Sequence, residues 1–398
     1  MLASLQDILD TVKSNTLTYQ QKLMCLGNIA ERLFDPRELL GYTDEEWQFL
    51  QNQMICDLNE GYAIYRPRYI LPDYNVYIEK GCKFLELPAP KNLDDVLDGL
   101  LILYSHVPSI TTFPVYIGRL DVLLDPFITD EEQDYIKIKR FLNHVDKTVP
   151  DSFCHANIGP YDTKAGRLIL KAVIELEAPT PNMTIRYDKS KTSREFAELA
   201  AKACLLVSKP SFANDAYYIS DLGEQYGIAS CYNALPECGG AYTLTRLRLG
   251  TIARACKTVD EMVNELLPRV AKCALSTMDK RHKFVVEESN FFNTSFLEKE
   301  GFIKRTNFTG MFAIVGLADA ANHLLQQEGL NETFGKSQRG DEIATLIMDK
   351  LKEVTDNHEG VYAERTGNRY LLHAQVGASN HEEDKRNAPA HRIRVGEE

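Results

Sequence analysis

The stretch of this chain best equipped for chemistry is Tyr226-Gly227-Ile228-Ala229-Ser230-Cys231-Tyr232-Asn233-Ala234-Leu235-Pro236-Glu237-Cys238-Gly239-Gly240. A short apolar run leads into Cys231, a turn-prone loop follows, and Thr243 to Leu249 resumes a strand pattern. The paired glycines let the backbone pass close to another segment or a ligand. A thiol at the tip of a rigid strand is well placed to meet a substrate. The residues alone leave three chemistries open for Cys231: a core thiol, a polar nucleophile, or a radical carrier. A nucleophile needs a nearby base or cation to form its thiolate, and this stretch supplies none. Asn233 and Glu237 flank Cys231 closely enough in sequence to bond a substrate or accept a proton, although polar loop residues are more often solvated.

Other side chains are weighed the same way. Arg66, Arg68 and Arg119 suit a bidentate grip on a carboxylate or phosphate, against the commoner role of tying a loop to a helix end. His155, Asn157 and His373 are expected to line a pocket, against an even chance that the histidines are structural. His155 follows Cys154 directly, and neighbours on an extended chain point opposite ways, so no Cys-His dyad is expected there. Cys238 is read as a packing residue. The His282 to Glu287 and His381-Glu382 proximities lack a metal-binding helical spacing, and no metal site is expected.

Composition narrows the field. The chain has 398 residues and a formal charge of −12, which opposes a nucleic-acid polymer as partner. No apolar run approaches the ~20 residues that span a bilayer. Nine cysteines, at 25, 56, 82, 154, 204, 231, 238, 256 and 273, form no Cys-x-x-Cys pair. That scatter fits reduced thiols in a cytoplasmic protein.

The positioning elements follow from periodicity. Residues 1–60 read as an N-terminal helical region, with a capping box at Thr43-Asp44-Glu45-Glu46. The Tyr- and Pro-rich segment 61–74 reads as an extended, partly buried connection. Residues 61–379 then alternate helical and strand-like patterns, which argues an α/β core. Expected strands include 112–117, 183–187, 227–230, 243–249, 311–315 and 370–376. Expected helices include 93–106, 130–149, 164–176, 195–207, a long one from 259 to about 288, 317–327 and 342–354. Residues 380–398 carry almost no apolar side chains and read as a mobile charged loop or a cut end.

Several strings resemble those of the YjjI-type glycyl radical enzymes. Ser230-Cys231-Tyr232-Asn233 is similar to that family's central cysteine loop. Cys56-Asp57-Leu58-Asn59-Glu60-Gly61, Tyr65-Arg66-Pro67-Arg68-Tyr69-Ile70-Leu71-Pro72-Asp73-Tyr74, His106-Val107-Pro108-Ser109, Gly118-Arg119-Leu120-Asp121, His155-Ala156-Asn157-Ile158-Gly159-Pro160 and His373-Ala374-Gln375 extend the likeness from about residue 50 to 376. Gly310-Met311-Phe312-Ala313-Ile314-Val315-Gly316-Leu317-Ala318-Asp319 resembles the anaerobic ribonucleotide reductase branch. The resemblance implies a ten-stranded β/α barrel in two parallel halves, wrapped by helices, with the cysteine loop threaded through its centre. It also implies a thiyl radical at Cys231 that takes hydrogen from a small organic substrate, in a lyase, dehydratase or reductase reaction. No cofactor is expected to bind this chain itself. The family's radical resides on a backbone glycine and is installed by a separate iron–sulfur enzyme that uses S-adenosylmethionine.

The family's glycine motif, Arg-Val-x-Gly-Tyr, is absent from these residues, since Arg394-Val395-Gly396-Glu397 lacks the spacer and the aromatic. The glycine is expected from sequence beyond Glu398 or from a second polypeptide, unless the reaction has been lost. Expected partners are therefore a small-molecule substrate, the activating enzyme and a glycyl radical segment, and a homodimer is compatible with them. Competing readings are a nucleotide- or deoxyribose-directed radical enzyme, an ordinary cysteine enzyme, and a non-catalytic ligand-binding barrel.

Overall fold

The computed structural model describes residues 4–33, 35–56, 63–107, 114–148, 154–178, 180–229 and 233–374. Cys231, Gln375 and the 380–398 stretch lie outside them, as do Asp57 to Gly61 and Pro108-Ser109 of the family-like strings. The strands are β1 (Ile55–Cys56), β2 (Tyr69–Leu71), β3 (Tyr116–Arg119), β4 (His155–Ile158), β5 (Asn182–Tyr187), β6 (Ser211–Asn214), β7 (Tyr226–Ala229), β8 (Asn233–Pro236), β9 (Gly239–Arg248), β10 (Phe308–Val315) and β11 (Leu371–Ala374).

Strands β3, β4, β5 and β6 form one parallel sheet in sequence order. Each of its crossovers carries a helix, among them Glu131–Thr148, Lys164–Leu176 and Arg194–Val207, as parallel pairing requires. In a second sheet, β9, β10 and β11 run parallel, while β1 and β2 each pair antiparallel with β9. Strands β7 and β8 form a separate antiparallel pair, with Ala229 opposite Asn233. The expected α/β architecture is thus present. Among the described residues the strands make these separate sheets, however, and not one closed ten-stranded barrel.

Local signals explain many of the elements. Thr43 accepts from the Glu46 amide while Glu46 accepts from the Thr43 amide, the reciprocal capping box read from sequence. At the start of the long helix Thr258 and Glu261 have the spacing of a second capping box, and only half of it is made: Thr258 accepts from the Glu261 amide, but the Glu261 carboxylate accepts from the Lys257 amide. The expected single helix from 259 is an α-helix at Leu267–Lys283 flanked by π-helical turns at Glu261–Leu266 and Phe284–Glu288.

Two apolar cores sit behind the sheets. Ile117, Ala156, Ile158, Met183 and Ile185 belong to the larger, together with side chains of the helices that cover β3 to β6. Leu247, Phe312 and Ile314 belong to the other, with the helices Leu249–Arg254, Leu267–Lys283, Leu317–Gln327 and Gln338–Asp356. Among the described residues no helix is long and apolar enough to cross a membrane.

Candidate functional site

Side chains on a strand alternate between its faces, so packing Ala156, Ile158, Met183 and Ile185 against helices turns their neighbours the other way. Those neighbours are His155, Asn157, Thr184 and Arg186, all buried. In register, Tyr116 stands opposite His155, Arg119 opposite Asn157, and Asn157 opposite Thr184. A parallel strand covered on both faces is ordinarily apolar on both. Here one covered face is polar, and burying polar groups costs free energy unless each is bonded. A face of this kind is a binding-site candidate.

The β7–β8 pair is fastened to that face. Asn157 donates its amide to the Ile228 carbonyl at 3.0 Å and accepts from the Ile228 amide at 2.7 Å. One fully buried side chain thereby takes the place of a strand partner for Ile228. Gly227 is required beside it, because a Cβ there would stand 2.7 Å from the Tyr116 ring. Lower down, Arg186 donates to Asp215 at 2.7 Å, to the Tyr226 carbonyl at 3.3 Å and to the Glu224 carbonyl at 3.3 Å. The Tyr226 hydroxyl also donates to Asp215, at 2.7 Å. The arginine and the aspartate are both almost wholly buried, so this ion pair is the hidden anchor of β7.

Cys231 falls between the paired ends Ala229 and Asn233 and lies outside the described residues. Asn233 is the first described residue after it. Its side chain is 8% exposed, and its amide nitrogen has no hydrogen-bond partner. An unpaired buried donor costs ~1–3 kcal/mol. A ligand oxygen would remove that cost.

Glu237 occupies a different place from the one its spacing suggested. Tyr226 pairs with Pro236, so Glu237 follows the foot of the hairpin, and its amide donates to Gln225. Four residues of strand, about 13 Å at ~3.3 Å each, separate it from Asn233. It is therefore not grouped with Asn233 beside the tip. It accepts from the Tyr116 hydroxyl at 3.2 Å. Burial, reinforced by the Asp73 carboxylate, pushes its carboxyl up to about 7 against the opposing pull of Arg119.

That shift has a testable sign. The folded protein holds the Glu237 proton more tightly than the unfolded chain, whose carboxyl titrates near 4.5. The associated stability is complete below pH 4.5 and is lost as pH rises through about 7. Above that range the cost is of order 3 kcal/mol. Glu237→Gln is therefore expected to be more stable than the parent at pH 8 and similar to it at pH 4. Guanidinium unfolding across that range checks this, and parallel stability curves for the two proteins would refute it.

Arg119 donates to the Gly159 carbonyl at 3.0 Å, while Asp121 accepts from the Gly159 amide at 2.7 Å. Together they clamp the end of β4. Burial raises the Asp121 carboxyl to about 6, against that amide and the Arg119 charge. Burial, with a smaller contribution from Lys209, lowers His155 to about 3, so its imidazole is neutral at physiological pH. His373 stands opposite Ala313 on β11, in the other sheet from His155 and Asn157. Of the sequence candidates, Arg119, His155 and Asn157 share one sheet face, and Asn157 joins the hairpin to it. Arg66 lies apart, within 3.6 Å of Glu31.

Sequence reasoning passed over Tyr116, Arg186, Asp215 and Arg246. For Arg186 and Arg246 the available signal was a charged residue inside an apolar strand pattern, as in Met183-Thr184-Ile185-Arg186-Tyr187. The Gly310 to Asp319 string has a packing explanation: a Cβ at Gly310 would meet His282 at 2.7 Å and Met278 at 2.8 Å.

Comparison with known proteins bears on this arrangement. The model of the family described as glycyl radical enzyme YjjI-like matches residues 17–398. An uncharacterized protein of Haemophilus influenzae is 92% identical over 398 residues, which is all of this chain and 77% of that protein. The uncharacterized protein YjjI of Escherichia coli is 41% identical over 390 residues, covering 97% of this chain and 74% of that one. Among solved structures, the anaerobic ribonucleotide reductase of Thermotoga maritima with dATP in its specificity site matches with a TM-score of 0.70 at 11% identity, over 94% of this chain and 73% of that one. Hydroxyproline dehydratase of Clostridioides difficile matches with a TM-score of 0.62 at 11% identity, over 93% and 70% of the respective chains. At such identities the likeness is one of fold. The family match and the two close relatives identify this chain as a member of the YjjI-like glycyl radical enzyme family.

Proposed function

We propose that this chain is the substrate-binding core of a glycyl radical enzyme in which Cys231 abstracts hydrogen from a small organic molecule. In the first step the glycyl radical takes the thiol hydrogen of Cys231, leaving glycine whole and a thiyl radical on sulfur. The thiyl then takes hydrogen from a substrate carbon, restoring the thiol and leaving a carbon radical that goes on to eliminate, rearrange or be reduced. Such a radical must be kept from water and stray hydrogen donors. Closure of the two parallel sheets around the hairpin, as a ten-stranded barrel, is part of this proposal.

The observation that carries the reading is the fastening by Asn157 of β7, the strand before Cys231 and the pairing partner of β8, to a buried polar sheet face. In this account Asn233, Arg119 and His155 bind the substrate's polar groups, and His373 contributes from the other sheet. Asn157 holds the hairpin in place, and Glu237 acts at its foot. No cofactor binds the chain itself. The radical comes from a glycine segment activated by a separate iron–sulfur S-adenosylmethionine enzyme, in an anaerobic cytoplasm.

The test uses a protein as long as the Haemophilus relative, of which this chain covers 77%. Anaerobic activation is expected to give a glycyl doublet in electron paramagnetic resonance that depends on a glycine outside residues 1–398. No doublet from that full-length protein, even with a matched activating enzyme, would overturn the proposal.

A further inference from the structure

Among the described residues Arg246 is a buried cation without a counter-ion. It is 5% exposed, and among the described residues no carboxylate pairs with it. One guanidinium nitrogen, Nη2, lies 3.1 Å from the Cys56 thiol, and Nε has no hydrogen-bond partner. Taking a guanidinium out of water costs several kcal/mol unless an anion and hydrogen bonds compensate it. A thiol does neither well. Arginine's rigid fork of donors matches a carboxylate or phosphate, and this fork is left largely unused.

Its position gives that vacancy meaning. On β9, Arg246 alternates with Thr245 and Leu247, and Leu247 packs with the outer helices. Arg246 therefore shares the opposite face with Leu244. Leu244, Met311 and Ala313 lie in the same apolar cluster as Ala229 and Leu235 of the hairpin. Arg246 thus projects to the side of the sheet where the strands flanking Cys231 are packed. Across the sheet its neighbour in register is Ala313, a single methyl group, and the next position in that row is His373.

We propose that Arg246 binds the anionic group of the substrate, making the substrate a small carboxylate or phosphate ester. The proposal rests on the radical-enzyme reading and adds a substrate class to it. A neutral polyol would leave the guanidinium unpaired, so the same residue would discriminate against uncharged diols. Carrying an unpaired buried charge has a cost in the ligand-free protein, the usual exchange of stability for function.

Isothermal titration of the unactivated full chain with inorganic phosphate and with acetate, at fixed ionic strength, tests this. Glycerol serves as the uncharged control. At least one anion is expected to bind, and Arg246→Met to weaken it at least tenfold, while Arg248→Met leaves it unchanged. Which anion binds tells a phosphate ester from a carboxylate. Arg246→Met should also unfold at the same guanidinium concentration as the parent or a higher one, because it removes an uncompensated charge. Absence of binding by both anions, unchanged binding in Arg246→Met, or a lower unfolding midpoint in that variant would overturn the proposal. Because no radical is needed, failure here leaves the glycyl doublet untouched, and a missing doublet leaves this binding result standing.

Discussion

Asp215→Ala is expected to destabilise the protein by ~3–5 kcal/mol, the usual cost of removing one partner from a buried ion pair. The variant leaves Arg186, whose side chain is 2% exposed, with the Tyr226 and Glu224 carbonyls at 3.3 Å and the Tyr226 ring at 3.9 Å but no anion to replace Asp215. It also takes the acceptor from the buried Tyr226 hydroxyl. Replacing both charges, as Arg186→Met with Asp215→Leu, removes the stranded charge and is expected to recover most of the loss. Guanidinium unfolding midpoints of the parent and the two variants measure this. A loss below about 1 kcal/mol for Asp215→Ala would place the pair in the class of exposed salt bridges. Tyr226 opens β7, so the damage should reach the hairpin, and hydrogen exchange at Ile228 should quicken with it.

Much of the fold was legible from periodicity, and the reasons for the exceptions are physical. The helices Lys164–Leu176 and Leu317–Gln327 fall where the apolar spacing put them, and Thr43 caps as its capping box implied. The strands β4, β6 and β8 are four residues each, too short to establish an alternation. Strand β4, His-Ala-Asn-Ile, is buried throughout yet alternates polar and apolar, a pattern that ordinarily marks a strand with one wet face. Its dry polar side becomes visible only once the sheets and hairpin are assembled.

The candidate site was legible in part for the same reason. Asn157 and Arg119 stood in family-like strings, but the partners that give them work, Ile228 and Gly159, are 71 and 40 residues distant along the chain. Glu237 looked close to Cys231 because the sequence does not reveal that β8 carries it to the hairpin's far end. Arg186 and Arg246 carried a usable signal, a charge within an apolar strand run. That signal acquires meaning only when their burial is known, 2% and 5% exposed.

The central claim is that the Cys231 thiol exchanges hydrogen with the radical glycine and with substrate. Cys231→Ala is expected to abolish turnover, because it removes the thiol that passes hydrogen between glycine and substrate. The claim can be tested without knowing the substrate. The thiol hydrogen exchanges with solvent, so in D2O passage of the radical from glycine to sulfur delivers deuterium to the glycine, and each return that removes protium leaves the glycyl radical deuterated. The doublet, which arises from coupling to the glycine α-hydrogen, should then collapse toward a singlet. The decisive measurement is electron paramagnetic resonance of the activated, full-length protein in D2O, parent against Cys231→Ala. Collapse in the parent with a persistent doublet in Cys231→Ala is the predicted result. Equal collapse in both, or none in the parent, would contradict the account.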